Sequence, residues 1–167
     1  MFPLDQLYVA GFSWELDSAP VARTFLNQPV VLFRAAGKAV ALEDKCAHRH
    51  LPLSCGTLEN GGIRCGYHGL LFGGNGQCLE IPGQTNVPKN ACVRTYPVEE
   101  RNQIIWIWMG RTPDYKAAFS NTLGAFPEYY GDYADNARRW YTRAQEAVPF
   151  MNHAIVNPPI DRHLPPE

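Results

Sequence analysis

Two short motifs, Cys46-Ala-His48 and Cys65-Gly-Tyr-His68, lie sixteen residues apart and constrain this 167-residue chain more than any other feature. Thiolates and imidazoles in repeated pairs are metal donors, so the fold has to bring both motifs to one place. Two thiolates on one iron and two imidazoles on the other make a donor set for a [2Fe–2S] cluster. Exchanging two anionic thiolates for neutral imidazoles lowers the negative charge on such a cluster. Its reduction potential rises above that of a four-cysteine cluster as a result. Two Cys plus two His also suit a tetrahedral zinc ion. Zinc sites usually open with two cysteines about two to four residues apart, and neither pair here does, which weighs toward the cluster.

The flanks support a cradle. The first motif continues as CAHRHLPLSCG (Cys46–Gly56) and the second as CGYHGLLFGGNGQC (Cys65–Cys78). Gly66 and Gly69 border the second pair, and Gly73, Gly74 and Gly76 follow it. Glycine lets backbone amides turn toward bridging sulfides and tolerates positive φ. From about Leu7 to Gly110 the chain resembles the Rieske domains of ring-hydroxylating and demethylating oxygenases. The vanillate demethylase and toluenesulfonate monooxygenase branch fits best, through EIPGQ (Glu80–Gln84), YPVEERN (Tyr96–Asn102) and IIWIWMG (Ile104–Gly110). The resemblance implies a mainly β Rieske iron–sulfur fold of small antiparallel sheets with a [2Fe–2S] cluster at one tip. Carried over by position, the ligands are Cys46, His48, Cys65 and His68. It also implies single-electron transfer from an NAD(P)H-linked flavin or ferredoxin-type reductase toward oxygenation of an aromatic compound, with a partner oxygenase subunit.

High-potential Rieske proteins carry an extra cysteine in each cluster loop, joined as a disulfide. The matching places here are Leu51 and Tyr67, so no such bridge forms. Those proteins also donate Ser and Tyr hydroxyls to the cluster, where this chain has Leu70 and Phe72. Fewer donors to sulfur stabilise the reduced state less, giving an expected potential near the low end of the Rieske range, about −150 mV.

Cys55, Cys78 and Cys92 have no His or Cys partner at ligand spacing and read as free thiols. With an odd count of five cysteines, no signal peptide and no long apolar run, a reducing cytoplasm is the expected compartment and a membrane is not. Arg49 and His50, beside a ligand, are either a docking surface or proton path, or an ordinary exposed basic pair. The formal charge of −1 and the lack of any basic block exclude a nucleic-acid partner.

Residues 1–110 hold twelve of the fourteen glycines, whereas residues 111–167 hold five of the eight tyrosines and half of the fourteen prolines. This change of texture sets the expected boundary: a Rieske domain over 1–110 and a partial helical segment over 111–167. Before it, the β-rich runs are Leu7–Ala10, Val30–Arg34, Ala39–Leu42, Ile63–Cys65, Cys92–Tyr96 and Ile104–Trp108. Turn signals at Ala36-Gly37-Lys38 and Asn60-Gly61-Gly62 separate some of them. Ile104–Trp108 is apolar almost throughout and reads as buried on both faces. After the boundary, Ala137, Trp140, Tyr141, Ala144, Val148 and Met151 form an apolar stripe of helical period. Asp132 or Asp135 would cap that helix and Pro149 would end it.

The catalytic domain of a Rieske oxygenase would supply two His and a carboxylate to a mononuclear iron. The expected run, Asp-Asn-Leu-x-Asp-x-x-His, does not occur, so any enzyme activity is that of an oxidoreductase component. Instead, Arg111–Glu146 and Asn152–Glu167, with NHAIVNPPIDRH the most specific stretch, resemble an internal piece of the oxygenase component of 4-hydroxyphenylacetate 3-monooxygenase, which uses reduced flavin. Carried over by position, Arg111, Tyr115 and His153 are relics of its phenol site. In such a site Arg and His polarise a phenol and Tyr orients it. One helix with flanking loops cannot enclose an isoalloxazine ring, so flavin is not expected as a cofactor. Met109-Gly110 suits both resemblances and marks a crossover that recombination, gene decay or assembly error would each produce. A hybrid or remnant of the flavin-dependent hydroxylase is the alternative function.

Overall fold

The computed structural model describes residues 4–16, 18–110 and 115–124. All of them belong to Met1–Pro127, the first of two compact units into which the chain divides. Eleven strands in this part form three antiparallel sheets. Strands β1 (Gln6–Phe12), β11 (Ile104–Met109) and β10 (Val98–Arg101) make the first sheet. The second runs β2 (Val21–Phe25), β3 (Gln28–Ala35), β4 (Lys38–Glu43), β9 (Thr95–Tyr96). The third, β5 (Thr57–Glu59), β6 (Gly62–Arg64), β7 (Leu71–Gly73), β8 (Cys78–Glu80), carries the second motif between β6 and β7.

Strand β3 is the spine. Val30, Val31, Leu32 and Phe33 are all fully buried, because alternate side chains enter two different cores. Val31 and Phe33 pack with Leu42, Ile63, Phe72 and both motif cysteines. Val30 and Leu32 pack with Ala41, Tyr96, Ile105 and Ile107. Each such side chain contributes about 1.5–3 kcal/mol by leaving water. Both motif cysteines therefore pack against a strand whose centre is buried on both faces.

Four hairpins turn through two residues, both at positive φ: Leu26-Asn27, Ala36-Gly37, Asn60-Gly61 and Asn102-Gln103. That geometry matches strand twist and favours Asn and Gly. Ile104–Met109 is buried on both faces as its composition implies. Ile105, Ile107 and Met109 enter the core shared with β3, while Trp108 packs under helix α1 (Tyr115–Gly124). Cys92–Tyr96 is mostly not strand: pairing starts only at Thr95, and Cys92 makes an isolated bridge to Gln77. The apolar stripe between Asp132 and Met151 lies outside the described residues.

Candidate metal centre

The two motifs form loops of the same backbone design. The Cys46 N–H donates to the Leu51 carbonyl, and the Cys46 carbonyl accepts from His50 N–H. The Cys65 N–H donates to Leu70, and its carbonyl accepts from Gly69 N–H, at the same offsets of five and four residues. His50 and Gly69 are the pivots, with φ of 62° and 76° respectively, which bend each loop back on its cysteine. Only the histidine position differs, two residues after the first cysteine and three after the second.

The result sorts the donors by type. Cys46 and Cys65 are 2% and 3% exposed, while His48 and His68 are exposed at the tip. Both thiols belong to the same buried cluster. The imidazole centroids are 4.6 Å apart. Burial pushes the Cys46 thiol above its ordinary value; backbone N–H groups of His48 and Arg49 oppose the rise and the neighbouring Cys65 adds to it. Those amides are donors suited to a sulfur that carries charge. Among the described residues, no three Cys, His, Asp or Glu side chains gather around one ion position. Two separate pairs suit two metals bridged together better than a single tetrahedral ion.

Supporting contacts fix each loop. On the first, the buried Asp44 carboxylate accepts from Ser54 N at 2.7 Å and Ser54 Oγ at 2.6 Å, clamping the short 3-10 turn Leu53–Cys55. On the second, Arg64 donates to the Gly69 carbonyl and to both Glu80 oxygens at 3.2 and 3.0 Å, and pairs with Glu59. The guanidinium beside Glu80 holds that carboxyl below its usual range. Gly66 brings the loops close: a Cβ there would stand 3.0 Å from the Cys55 carbonyl oxygen. Arg64, Asp44 and Ser54 belong to neither ligand motif, and nothing in the sequence pattern singles them out.

Leu51 and Leu70 close the loops on the core, and Phe72 is fully buried there. Tyr67 is 62% exposed and its ring lies 3.8 Å from that of His68. A cavity of 290 Å³ opens beside His48, lined among others by Leu70, Ile81, Gln84 and Asn90. Cys55, Cys78 and Cys92 are free thiols, and Cys78 Sγ donates to the Glu80 carbonyl at 3.3 Å. Tyr115 opens α1, its ring edge-on to Phe119. Arg111 and His153 lie outside the described residues. No helix among the described residues is long and apolar enough to cross a membrane.

A two-cysteine, two-histidine tip on three antiparallel sheets defines an iron–sulfur protein, and the chain belongs to the Rieske [2Fe–2S] domain family, whose model matches residues 6–97. A second family, 4-hydroxyphenylacetate 3-hydroxylase N terminal, matches residues 94–167. Among relatives, an iron–sulfur subunit of the toluene-4-sulfonate monooxygenase system of Comamonas testosteroni is 47% identical over 112 residues, 66% of this chain and 32% of that one. The oxygenase component of 4-hydroxyphenylacetate 3-monooxygenase from Escherichia coli is 60% identical over 68 residues, 41% of this chain and 13% of that one. The crystal structure of dicamba monooxygenase superposes with a TM-score of 0.65 at 42% identity, covering 77% of this chain and 40% of that one. The chain thus spans about a third of the iron–sulfur subunit and about an eighth of the 4-hydroxyphenylacetate 3-monooxygenase component.

Proposed function

We propose that residues 1–110 carry a [2Fe–2S] cluster on Cys46, His48, Cys65 and His68, as the iron–sulfur part of an aromatic-compound oxygenase or demethylase. When bound, such a cluster takes up and releases one electron at a time. The observation that carries the reading is the pair of matched loops, with thiols turned into the core and imidazoles turned out. Cys46 and Cys65 hold the buried side of the centre, away from water. His48 and His68 form the edge through which an electron enters from an NAD(P)H-linked reductase and leaves toward a partner oxygenase subunit. The absence of hydroxyl donors at Leu70 and Phe72 supports a low potential. A reducing cytoplasm fits Cys55, Cys78 and Cys92 as free thiols.

The test is electron paramagnetic resonance of the reconstituted chain after reduction, together with iron and zinc analysis. A Rieske-type signal and two irons per chain are expected, and Cys46→Ser is expected to abolish the signal. Bound zinc with no signal would overturn the assignment.

Residues 111–167 are a partial segment of the second family, and its match favours one other reading, a remnant of a flavin-dependent hydroxylase. Tight binding of reduced flavin by the purified chain would support that reading. Its absence, with the cluster signal present, would exclude it.

A further inference from the structure

We propose that the buried Asp44 carboxylate lowers the potential of the centre and so makes its reduced form a stronger electron donor. This rests on the cluster assignment above and adds a residue outside both ligand motifs.

Among the described residues, Asp44 is the one buried charged side chain, 7% exposed. Arg23, Arg34 and Arg64 each grip a glutamate, but no cation among those residues pairs with Asp44. Its partner is Ser54, which donates its N–H to one carboxylate oxygen and its hydroxyl to the other. Two accepting oxygens are what an ionised carboxylate offers. A buried charge without a counter-ion costs stability. An amide of the same shape would hold the turn without that cost, so clamping Ser54 does not by itself account for an acid.

The charge is tied to the floor of the site. Asp44 follows β4 and stands two residues before Cys46. Ser54 lies in the 3-10 turn between Leu53 and Cys55. Leu53 shares a core with Cys46 and Cys65, and the Cys55 carbonyl lies against Gly66, the neighbour of Cys65. The basic side chains beside the first motif, Lys45 and Arg49, are exposed instead.

The sign follows from charge. A centre of two ferric ions, two sulfides, two thiolates and two neutral imidazoles has no net charge. Reduction adds one electron and turns one ferric ion ferrous, with no bond made or broken, so the centre gains a negative charge. A fixed carboxylate nearby disfavours that gain. Buried charge acts through a poorly screening interior, whereas Lys45 and Arg49 act through water and salt. Asp44 therefore outweighs its exposed neighbours.

The test is a mediated redox titration of the cluster-loaded full chain at one fixed pH. Dithionite is the reductant, ferricyanide the oxidant, and the resonance signal the readout. The near-isosteric variant D44N is expected to favour reduction about tenfold, an upward shift of about 59 mV for a one-electron couple. D44S, which is also neutral, serves if D44N fails to fold. S54A keeps the charge and loses a donor to it, so its midpoint is expected to stay or to fall. K45Q removes an exposed positive charge, and its small downward shift is expected to fade in high salt while the D44N shift persists.

An unchanged midpoint in D44N, with its signal intact, overturns the proposal. A rise in S54A equal to that in D44N also overturns it, by assigning the effect to the turn rather than the charge. So does a D44N shift that fades in salt as the K45Q shift does. Absence of the signal from the unaltered chain overturns the cluster assignment instead, a separate outcome.

Discussion

His50 and Gly69 occupy equivalent backbone positions, each four residues after a motif cysteine and each donating its N–H to that cysteine's carbonyl. Only one of them has a side chain to strain. A Cβ on Gly69, at φ +76°, would stand 3.0 Å from Pro82 Cγ. Gly69→Ala is expected to cost about 1–2 kcal/mol for the left-handed backbone alone, read by urea denaturation. His50→Gly relieves that backbone and adds freedom to the unfolded chain, two effects of about 0.5–1 kcal/mol that oppose each other. A near-neutral stability is expected, with the cluster signal retained. Loss of signal in His50→Gly would show that His50, rather than His48, is the ligand.

Arg64 is the strap of the second loop, tying Gly69 to Glu59 and Glu80. Arg64→Met frees the Gly69 carbonyl and leaves two carboxylates facing each other. Loss of the charge-assisted bond to Gly69 is expected to cost about 1.5–3 kcal/mol. The cluster should bleach faster under chelator, since the loop opens more often. Arg64→Lys should recover part of this, because a single ammonium cannot reproduce the fork that grips Glu80. Identical bleaching rates in the unaltered chain and the Met variant would remove Arg64 from the support of the site.

How much of this was legible in the sequence differs from residue to residue. Asn60-Gly61 and Ala36-Gly37 announce their hairpins because glycine accepts positive φ freely. Leu26-Asn27 and Asn102-Gln103 do not, since Leu and Gln resist that conformation and are held there by strand pairing on both sides. The motif residues were visible as metal donors by type and spacing. The sorting of thiols inward and imidazoles outward was not, because it follows from β3 and the third sheet closing around Cys46 and Cys65. Arg64 and Asp44 act through partners five to sixteen residues away, and no local pattern marks such pairs. Among the described side chains of helix α1, Tyr115, Ala118 and Phe119 form the apolar face, a stripe too short to stand out.

Arg34 on β3 grips Glu100 on β10 through two bonds of 2.8 and 2.9 Å, joining the first two sheets. Hydrogen bonding from Arg34 is the main reason the Glu100 carboxyl sits below its usual range. A lowered folded value means the contribution is fully present above the ordinary carboxyl pKa of about 4.3 and is lost as pH falls through the depressed value. The pair is partly exposed, so about 1 kcal/mol is at stake. Denaturation midpoints for Glu100→Gln and the unaltered chain should differ at pH 7 and converge toward pH 3. A gap of the same size at both pH values would assign the cost to packing rather than to charge.

Phe119 covers Trp108 from outside the first sheet, and the two are 4% and 7% exposed. Leu7, Trp106, Tyr115 and Ala118 complete this small cluster. Phe119 and Tyr115 lie on α1, whereas Trp108 lies on β11, the strand that also carries the inner core residues Ile105 and Ile107. Phe119→Ala should therefore release α1 without opening the β core. Truncating a buried Phe costs about 3–5 kcal/mol in a rigid core. Here the loss is capped at the energy of docking the helix, because α1 can detach while the sheets persist. The expected signs are a red-shifted, acrylamide-quenchable Trp108 fluorescence and faster proteolysis within α1, with an unchanged cluster signal. If the signal disappears together with Trp108 burial, the helix is part of the cluster-bearing unit rather than a cover laid over it.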